Sequence, residues 1–585
     1  MMLRRLLLAS LAAAPAAAGG LLSNVFGSNM VLQHSRPAPL WGWAAPSATV
    51  TVMFGGKALH ATAGADGLWR AVLPPQAPSL TPHTIGVASG SSAVKLTNVE
   101  FGEVILCSGQ SNMEFVLSSA ANATAEIAAA DGYPHIRVVD GPQQNTDRLP
   151  LAKPNNASVP HNELFYQRMN WSVASSETVG QGSDHCCRRR SLSADDIVEE
   201  HDLSVASGSG FSAICWFAAR DLFDSLGGTT PVGAIDQSYG GTSIQFWMSE
   251  QAIAESKAPV ATQCCGQNGG PSCLWNTQIA PYTIGPMQLK GVLWYQGEQN
   301  ANCGGPTQTA GSMYSTMLQT MVTDWRTQFK QPALLFGSCL LAPWKKTADE
   351  VSFAELRLAQ ANLTAHVAGT FTISTLDGGN PASGAVHSKY KQAAGKRAAQ
   401  GLMANASSGV PSQPFWPPSY ASAAPGGASG SVLVTLAATG MYGSPPVVNS
   451  GVACPKSIGA TECESFAVLG SDCVWRKAAA SLKGSALLLT PAAGSWNASA
   501  GKAVGTRAYY ANWPVVTVTS KAGVPLLPWA EPINEAAKGV CPHSWSPLPS
   551  PKSDASGFLV HAKGALAAGS DLMVSNMSSI SDAEF

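Results

Sequence analysis

Apolar and polar residues alternate in short runs in the region that precedes residue 100 and follows the first eighteen residues. One run covers residues 49–54, and a second covers residues 68–73 after the turn signal Asp66-Gly67. Alternation with a period of two is typical of strands that bury one face. The pattern predicts a small N-terminal β domain over residues 19–100.

The pattern changes near residue 101, where short apolar runs alternate with segments that carry apolar residues at helical spacing. This succession is typical of a parallel sheet whose strands are connected by helices. We therefore expect an α/β domain over residues 101–408, with a parallel sheet and helices on both faces. The strand-like runs are 104–107, 232–235, 292–295 and 371–376, and the helical segments include 211–226 and 313–325.

Other segments differ in composition. Residues at about 180–208 lack an apolar period and are expected to form an inserted loop, and residues 409–430 are rich in Pro, Gly, Ser and Ala, as linkers are. Strand-like runs return over 431–530, which predicts a C-terminal β-rich module. Residues 531–585 are expected to be a poorly ordered tail.

The first residues have the order of a secretory signal peptide. Arg4 and Arg5 precede the apolar run 6–14, and the small residues 16–18 follow it. We interpret residues 1–18 as a signal peptide. The mature chain is then expected to be secreted, or lumenal in the secretory or lysosomal pathway.

Two features of the remaining chain fit export. The 13 cysteines are expected to form disulfides, with at least one left over because the number is odd. Glycan-accepting Asn-X-Ser/Thr sequons occur at Asn122, Asn156, Asn170, Asn362, Asn405, Asn497 and Asn576.

The composition argues against two classes of protein and does not identify a function by itself. Apolar residues make up 45% of the chain and charged residues 12%, and the formal net charge is -1. A chain with no basic excess lacks the electrostatic footprint of a nucleic-acid partner. No segment of the mature chain is apolar over the length that spans a membrane, so we expect no membrane span.

Polar, glycine-containing turns follow the predicted strands. They are residues 108–113, 236–242 and 296–300, while Asp377 follows the last strand and His387 lies ten residues further on. Ligands of an open parallel sheet bind beyond the carboxyl ends of its strands. We therefore expect these segments to converge on one crevice.

Ser111 and His387 are the expected nucleophile and base of an acyl-transfer site. A serine hydroxyl needs a neighbouring base to take its proton, and Ser111 lies on a tight turn after a strand. Of the 11 histidines, His387 lies just past a predicted sheet strand and before a helix. The Gly-X-Ser-X-Gly elbow of α/β-hydrolases is absent, which argues against that fold.

Acyl transfer also needs preorganised donors for the oxyanion of the tetrahedral intermediate. The backbone N–H groups of Ser111 and of Gly240 or Gly241 are candidates. The side-chain amide of Gln296 or Asn300 is a further candidate donor.

Three motifs in these turns resemble the sialate O-acetylesterase family of SGNH-type hydrolases. The resemblance extends to residues 26–33 in the N-terminal β domain and 507–514 in the C-terminal module. It implies an SGNH-like fold, a Ser-His centre, an acetylated sugar or glycan as substrate, no metal and no organic cofactor. The motifs are Gly109-Gln110-Ser111-Asn112-Met113-Glu114, Gly240-Gly241-Thr242-Ser243-Ile244-Gln245-Phe246-Trp247 and Trp294-Tyr295-Gln296-Gly297-Glu298-Gln299-Asn300.

The chain departs from that family at several positions. Gln299 stands where the family usually has Ser, Tyr239 where it has Trp, and Ser388 where it has Pro. The Asp-x-x-His pairing of many SGNH enzymes is missing because residue 384 is Gly. Asp377 is the first choice for the third triad member, and a Ser-His dyad oriented by a backbone carbonyl is the alternative.

Three functions remain open at this point. The first is removal of O-acetyl groups from sialic acid or a similar sugar. The second is an acetylxylan or other polysaccharide acetylesterase, which needs the same acyl site. The third, of another class, is a catalytically inactive carbohydrate-binding protein.

Overall fold

A computed structural model describes most of the chain. It covers residues 20–141, 171–180, 210–257, 271–303, 309–345, 352–404, 416–438, 441, 443–459 and 463–542. The signal peptide, nearly all of the inserted loop and most of the tail lie outside these residues.

The elements of the N-terminal and α/β regions follow the predicted order. The strands are β1 (Val31–Gln33), β2 (Ala38–Trp43), β3 (Thr49–Phe54), β4 (Lys57–Thr62), β5 (Leu68–Leu73), β6 (Ser79–Ser89), β7 (Ser92–Gly109), β8 (Ile136–Asp140), β9 (Ser172–Val173), β10 (Val232–Ser238), β11 (Gly291–Tyr295), β12 (Leu335–Cys339) and β13 (Thr370–Ile373). The helices are α1 (Ser111–Glu114), α2 (Ala123–Ala129), α3 (Ser176–Gly180), α4 (Ala213–Ser225), α5 (Glu250–Ser256), α6 (Ala280–Thr283), α7 (Glu298–Cys303), α8 (Thr309–Gln328), α9 (Ser352–His366) and α10 (Gln392–Ala404).

The C-terminal region is built mainly from strands. They are β14 (Tyr420–Pro425), β15 (Val432–Leu436), β16 (Val447–Val448), β17 (Cys463–Glu464), β18 (Phe466–Gly470), β19 (Trp475–Lys483), β20 (Ala486–Pro491), β21 (Ala503–Ala508), β22 (Trp513–Pro514), β23 (Val518–Thr519) and β24 (Trp529–Pro532), followed by α11 (Glu535–Lys538).

A mixed sheet forms the centre of the molecule. Its parallel part has the strand order β8, β10, β7, β11, β12, β13, and β9 pairs antiparallel with β8. β10, β11 and β13 are buried along their whole length, as expected of strands covered on both faces. The predicted parallel sheet is therefore present, with an antiparallel edge.

Helices cover both faces of this sheet. Trp294 of β11 contacts Trp325 of α8, with ring centroids 6.0 Å apart. A Cβ added at Gly291 of the same strand would lie 2.6 Å from Leu402 of α10. Positions three apart on a strand face opposite ways, so α8 and α10 lie on opposite faces.

The N-terminal strands are continuous with the central sheet. β7 is 18 residues long; its first half pairs with β6 and its second half with β10 and β11. The boundary expected at residue 100 therefore falls inside one strand. This strand carries the chain from the β domain to Ser111.

The C-terminal module begins earlier and ends later than expected. The expected linker 409–430 contains β14, whose Tyr420 is buried and packs on Trp529. The expected tail contains the end of β24 and all of α11, which a disulfide between Cys473 and Cys541 ties to the module. Burial of single aromatic residues and a cross-link order these segments despite their loop-like composition.

The expectation of disulfides is confirmed. Cys107 of β7 is bonded to Cys215 of α4, and Cys454 is bonded to Cys463, in addition to the Cys473–Cys541 bond. Among the described residues, no helix is long and apolar enough to cross a membrane.

Candidate active site

Ser111 lies directly beyond the carboxyl end of β7. The turn requires glycine at position 109, where φ is 137° and an added Cβ would lie 2.1 Å from the carbonyl oxygen of Tyr295. Ser111 then begins α1, and the first N–H groups of a helix have no partner within it. The turn thus presents both the hydroxyl and a backbone donor at the edge of the sheet.

His387 is brought to Ser111 as the sequence predicted. Its Nε2 lies 2.8 Å from Ser111 Oγ, across 276 residues of chain. The histidine is half-buried, and it follows β13 and precedes α10. This distance suits transfer of the hydroxyl proton to the imidazole.

The glycine turn after β10 lies against Ser111. A Cβ added at Gly240 would be 3.2 Å from the Cβ of Ser111, and Gly241 has φ of 69°, which favours glycine. Neither glycine is among the donors of backbone–backbone hydrogen bonds in the described turns and loops. The glycine turn therefore lies beside Ser111, where the sequence analysis expects an oxyanion donor.

Gln296 and Asn300 hold this turn from behind. The Gln296 amide nitrogen reaches the Thr242 carbonyl at 3.0 Å and Asn300 Oδ1 at 2.7 Å, and the residue has 0% exposure. Asn300 Oδ1 also accepts from the N–H of Ile244 at 3.0 Å. For Gln296, these contacts favour positioning of the glycine turn over the expected direct donation to an oxyanion, because its amide nitrogen is buried and occupied. Asn300 is half-buried and its Nδ2 donates to Gln245 Oε1 at 3.2 Å, so its expected donation to an oxyanion stays a prediction.

Asp377 is paired with a residue other than His387. Its two carboxylate oxygens accept from Nη1 and Nη2 of Arg397, each at 2.7 Å. It also lies four residues beyond the end of β13, not at the end of the strand. The bidentate pair supports a role for Asp377 in holding α10, and favours the dyad between the two alternatives.

Gln110 and Asn112, on either side of Ser111, have contacts across the candidate site that the sequence analysis did not predict. Gln110 Oε1 accepts from the backbone N–H of Gly297 and of Gln299, each at 3.2 Å. Asn112 Nδ2 donates to Glu298 Oε1 at 2.6 Å. The sequence signal was their place in the same turn as Ser111; the partners, almost 190 residues away, give no local signal.

Two buried carboxyl groups lie beneath the site. Burial raises the pKa of Asp236 well above its usual range, and the negative charge of Glu114 adds to the shift while a hydrogen bond from Ser238 opposes it. A Cβ at Gly240 would lie 2.7 Å from Glu114 Oε2. The Glu114 carboxylate therefore packs close to Gly240.

The chain is similar to known carbohydrate esterases. Residues 192–403 match the family described as carbohydrate esterase, sialic acid-specific acetylesterase. Sialate O-acetylesterases of Pongo abelii and Homo sapiens are each 29% identical to the chain over 317 residues. The predicted resemblance to the sialate O-acetylesterase family is confirmed. The matched range contains Gly240, Gln296 and His387, whereas Ser111 precedes it.

The likeness to the sialate O-acetylesterase family is partial in length. The two primate alignments cover 52% of this chain, and the chain spans about half of those relatives, 52% of each. A carbohydrate acetylesterase of Xanthomonas citri has a similar fold, with a TM-score of 0.67 and 24% identity over 87% of this chain and 99% of that one.

Proposed function

We propose that the chain is a secreted serine esterase that removes O-acetyl groups from sugars, with sialic acid as the first candidate. The observation that carries the proposal is the 2.8 Å contact between His387 Nε2 and Ser111 Oγ at the carboxyl ends of the strands. The match of residues 192–403 to a carbohydrate esterase family supports the substrate class.

The reaction proceeds by acyl transfer in two stages. Ser111 Oγ attacks the carbonyl carbon of the acetyl group while its proton passes to His387 Nε2, and a tetrahedral intermediate forms. The bond between the acetyl carbon and the sugar oxygen then breaks as His387 returns the proton to that oxygen. Water, activated by the same imidazole, releases acetate and restores the Ser111 hydroxyl.

The oxyanion of each intermediate needs fixed donors. We assign this role to the backbone N–H groups of Ser111 and of Gly240 or Gly241, because the glycine turn lies against the nucleophile. Such donors contribute more when they are held rigidly before the reaction. The hydrogen bonds of Gln296 and Asn300 to residues 242–244 provide that rigidity.

Secretion belongs to the same proposal. The signal-like residues 1–18 precede the described part of the chain, and the three disulfides fit an oxidising compartment.

Acetate release from O-acetylated sialic acid and from O-acetylated xylan, measured side by side, tests the function. We expect release from the sialic acid, and none by Ser111→Ala prepared in the same way. Faster release from xylan would change the substrate to a polysaccharide. If no acetate is released from any acetylated sugar or from p-nitrophenyl acetate, the esterase function is refuted and the alternative of a catalytically inactive carbohydrate-binding protein is supported.

A further inference from the structure

The side chain next to the nucleophile joins both ends of the segment that carries the base. Asn112 Nδ2 donates to the carbonyl of Val386 at 3.1 Å, and Asn112 Oδ1 accepts from Lys391 Nζ at 2.5 Å. Val386 precedes His387 and Lys391 follows it by four residues. The chain on either side of the base is therefore attached to the residue that follows Ser111.

A third element is attached to the same amide. Glu298, the first residue of α7, accepts from Asn112 Nδ2 at 2.6 Å. Asn112 thus uses its two N–H groups and its oxygen on residues that follow β11 and β13, while it follows β7 itself. Three segments at the carboxyl edge of the sheet meet at one side chain.

The side chains of this cluster are almost completely buried from solvent. Asn112 is 1% exposed, Lys391 2% and Glu298 3%. Lys391 Nζ also faces the rings of Phe115 at 4.9 Å and Tyr295 at 5.3 Å. The polar atoms of Asn112 are bonded to Glu298, Val386 and Lys391.

Burying the charged side chains of Glu298 and Lys391 costs free energy of folding. It raises the pKa of Glu298 and lowers the pKa of Lys391 to about 8, although in each case the opposite charge of the other opposes the shift. Replacing buried charges by apolar residues of similar volume is often neutral or stabilising. A role in geometry accounts for the retention of ionisable groups here better than a role in stability does.

We propose that Asn112, held by Glu298 and Lys391, is the positioning residue that sets the distance between Ser111 Oγ and His387 Nε2. The proposal rests on the proposed esterase function. Ser111 and His387 come from distant parts of the chain, and Asn112 provides a two-point connection between them. Loss of this connection lets the imidazole move relative to the hydroxyl, and misplacement by about 1 Å can cost on the order of 10²-fold in rate.

Variants of the cluster test the proposal in the full-length protein. We expect Asn112→Ala to lower kcat for p-nitrophenyl acetate by about 10²-fold and Lys391→Met by about tenfold, with little change in KM. The double variant should lose no more than Asn112→Ala alone, because both substitutions break the same connection. Glu298→Gln should stay within about threefold, since its amide oxygen still accepts from Asn112 and Lys391 can release its proton.

Lys290→Met is the matched control, because Lys290 also contacts a buried glutamate, Glu103, but at the amino end of the sheet. It should lower the melting temperature and leave kcat unchanged. Wild-type inactivity would refute the esterase function itself. With an active wild type, the positioning proposal is overturned if folded Asn112→Ala loses less than threefold in kcat, or if folded Lys391→Met keeps the kcat of the wild type. It is also overturned if the losses multiply in the double variant, or if Lys290→Met lowers kcat equally.

Discussion

Each end of the central sheet contains a cluster of one side-chain amide, one lysine and one glutamate. The two clusters differ in how these side chains are arranged. At the amino end, Gln33 Nε2 and Lys290 Nζ both donate directly to Glu103, at 2.7 and 2.8 Å. At the carboxyl end, Asn112 contacts Glu298 and Lys391 at the same time. In one cluster the carboxylate is the centre, and in the other the amide is.

The electrostatic consequences are opposite. Burial raises the pKa of Glu103, but hydrogen bonds from His34 and Gln33 and the contact with Lys290 outweigh it and lower the pKa to about 2. For Glu298 the effect of burial outweighs the hydrogen bond from Asn112 and the charge of Lys391, so the net shift of its pKa is upward. The amino-end cluster therefore favours its charged form, whereas the carboxyl-end cluster does not.

This difference separates stability from function within one sheet. A carboxylate in direct contact with its partners contributes to folding, as the lowered pKa of Glu103 indicates. The cluster at the carboxyl end gives up that contribution and fixes the segments that carry Ser111 and His387 instead. Matched substitutions at the two ends should thus affect different measurements.

The largest expected contrast is between His387→Ala and His135→Ala. His387 contacts the nucleophile, whereas His135 lies at the start of β8 and contacts Glu100 at 2.9 Å. We expect kcat to fall by about 10³-fold or more in the first variant and by less than about twofold in the second. Steady-state kinetics with p-nitrophenyl acetate measures both. Equal losses in the two variants would remove the functional distinction between the ends.

Asp377→Asn should have a smaller effect on catalysis. Because both carboxylate oxygens are bound to Arg397, we expect at most about a tenfold loss of kcat, together with a lower melting temperature. A triad acid would instead cost about 10⁴-fold on the same substitution. The kcat of a folded Asp377→Asn protein distinguishes these values. A loss near 10⁴ would restore Asp377 as the partner of His387.

Glu103→Gln should change stability and not kcat, and it should lower stability above about pH 4.5, where the wild-type carboxylate contributes. The folded pKa of Glu103 is about 2 and its ordinary value is 4.5, so its contribution is present above about pH 4.5 and is lost as the pH falls toward 2. The shift corresponds to at most about 3 kcal/mol. We expect the melting temperature of the wild type to fall more steeply between pH 5 and 3 than that of the variant. The same slope in both proteins would show that Glu103 does not contribute, and a change in kcat would contradict its assignment to stability.

The sequence was sufficient to predict that Ser111 and His387 lie close together at one edge of the sheet. Ser111 and His387 each follow a strand with a clear apolar pattern, and the topology of a parallel sheet brings such positions together. The strands β10 and β11 were predicted for the same reason. The apolar pattern predicts where each turn lies along the chain and at which edge of the sheet it lies.

Contacts within that edge could not be predicted. Gln296, Asn300 and Asp377 are polar residues after strands, and such residues look alike in sequence whether they face substrate or the interior. The structure shows Gln296 fully buried and Asp377 bound to Arg397. Lys391 gave no signal because its partner Asn112 is 279 residues away.

Several elements of the α/β domain also escaped prediction, and α9 and β12 show why. α9 is buried on all sides, and Arg357 and Gln360 inside it are bonded to buried carbonyls, so it lacks a polar face and a helical period. β12 is interrupted by Gly337 and Ser338, which weakens its apolar run. Elements enclosed by others lose the alternation on which sequence reasoning depends.

Covalent trapping of the nucleophile tests the central claim most directly. An alkyl fluorophosphonate reacts with a serine that a neighbouring base activates, and mass spectrometry of the digested protein locates the adduct. The account predicts one adduct, on the peptide that contains Ser111, slower labelling in His387→Ala and none in Ser111→Ala. An adduct on another serine, or hydrolysis of acetyl esters by a protein with Ser111 replaced, would contradict it.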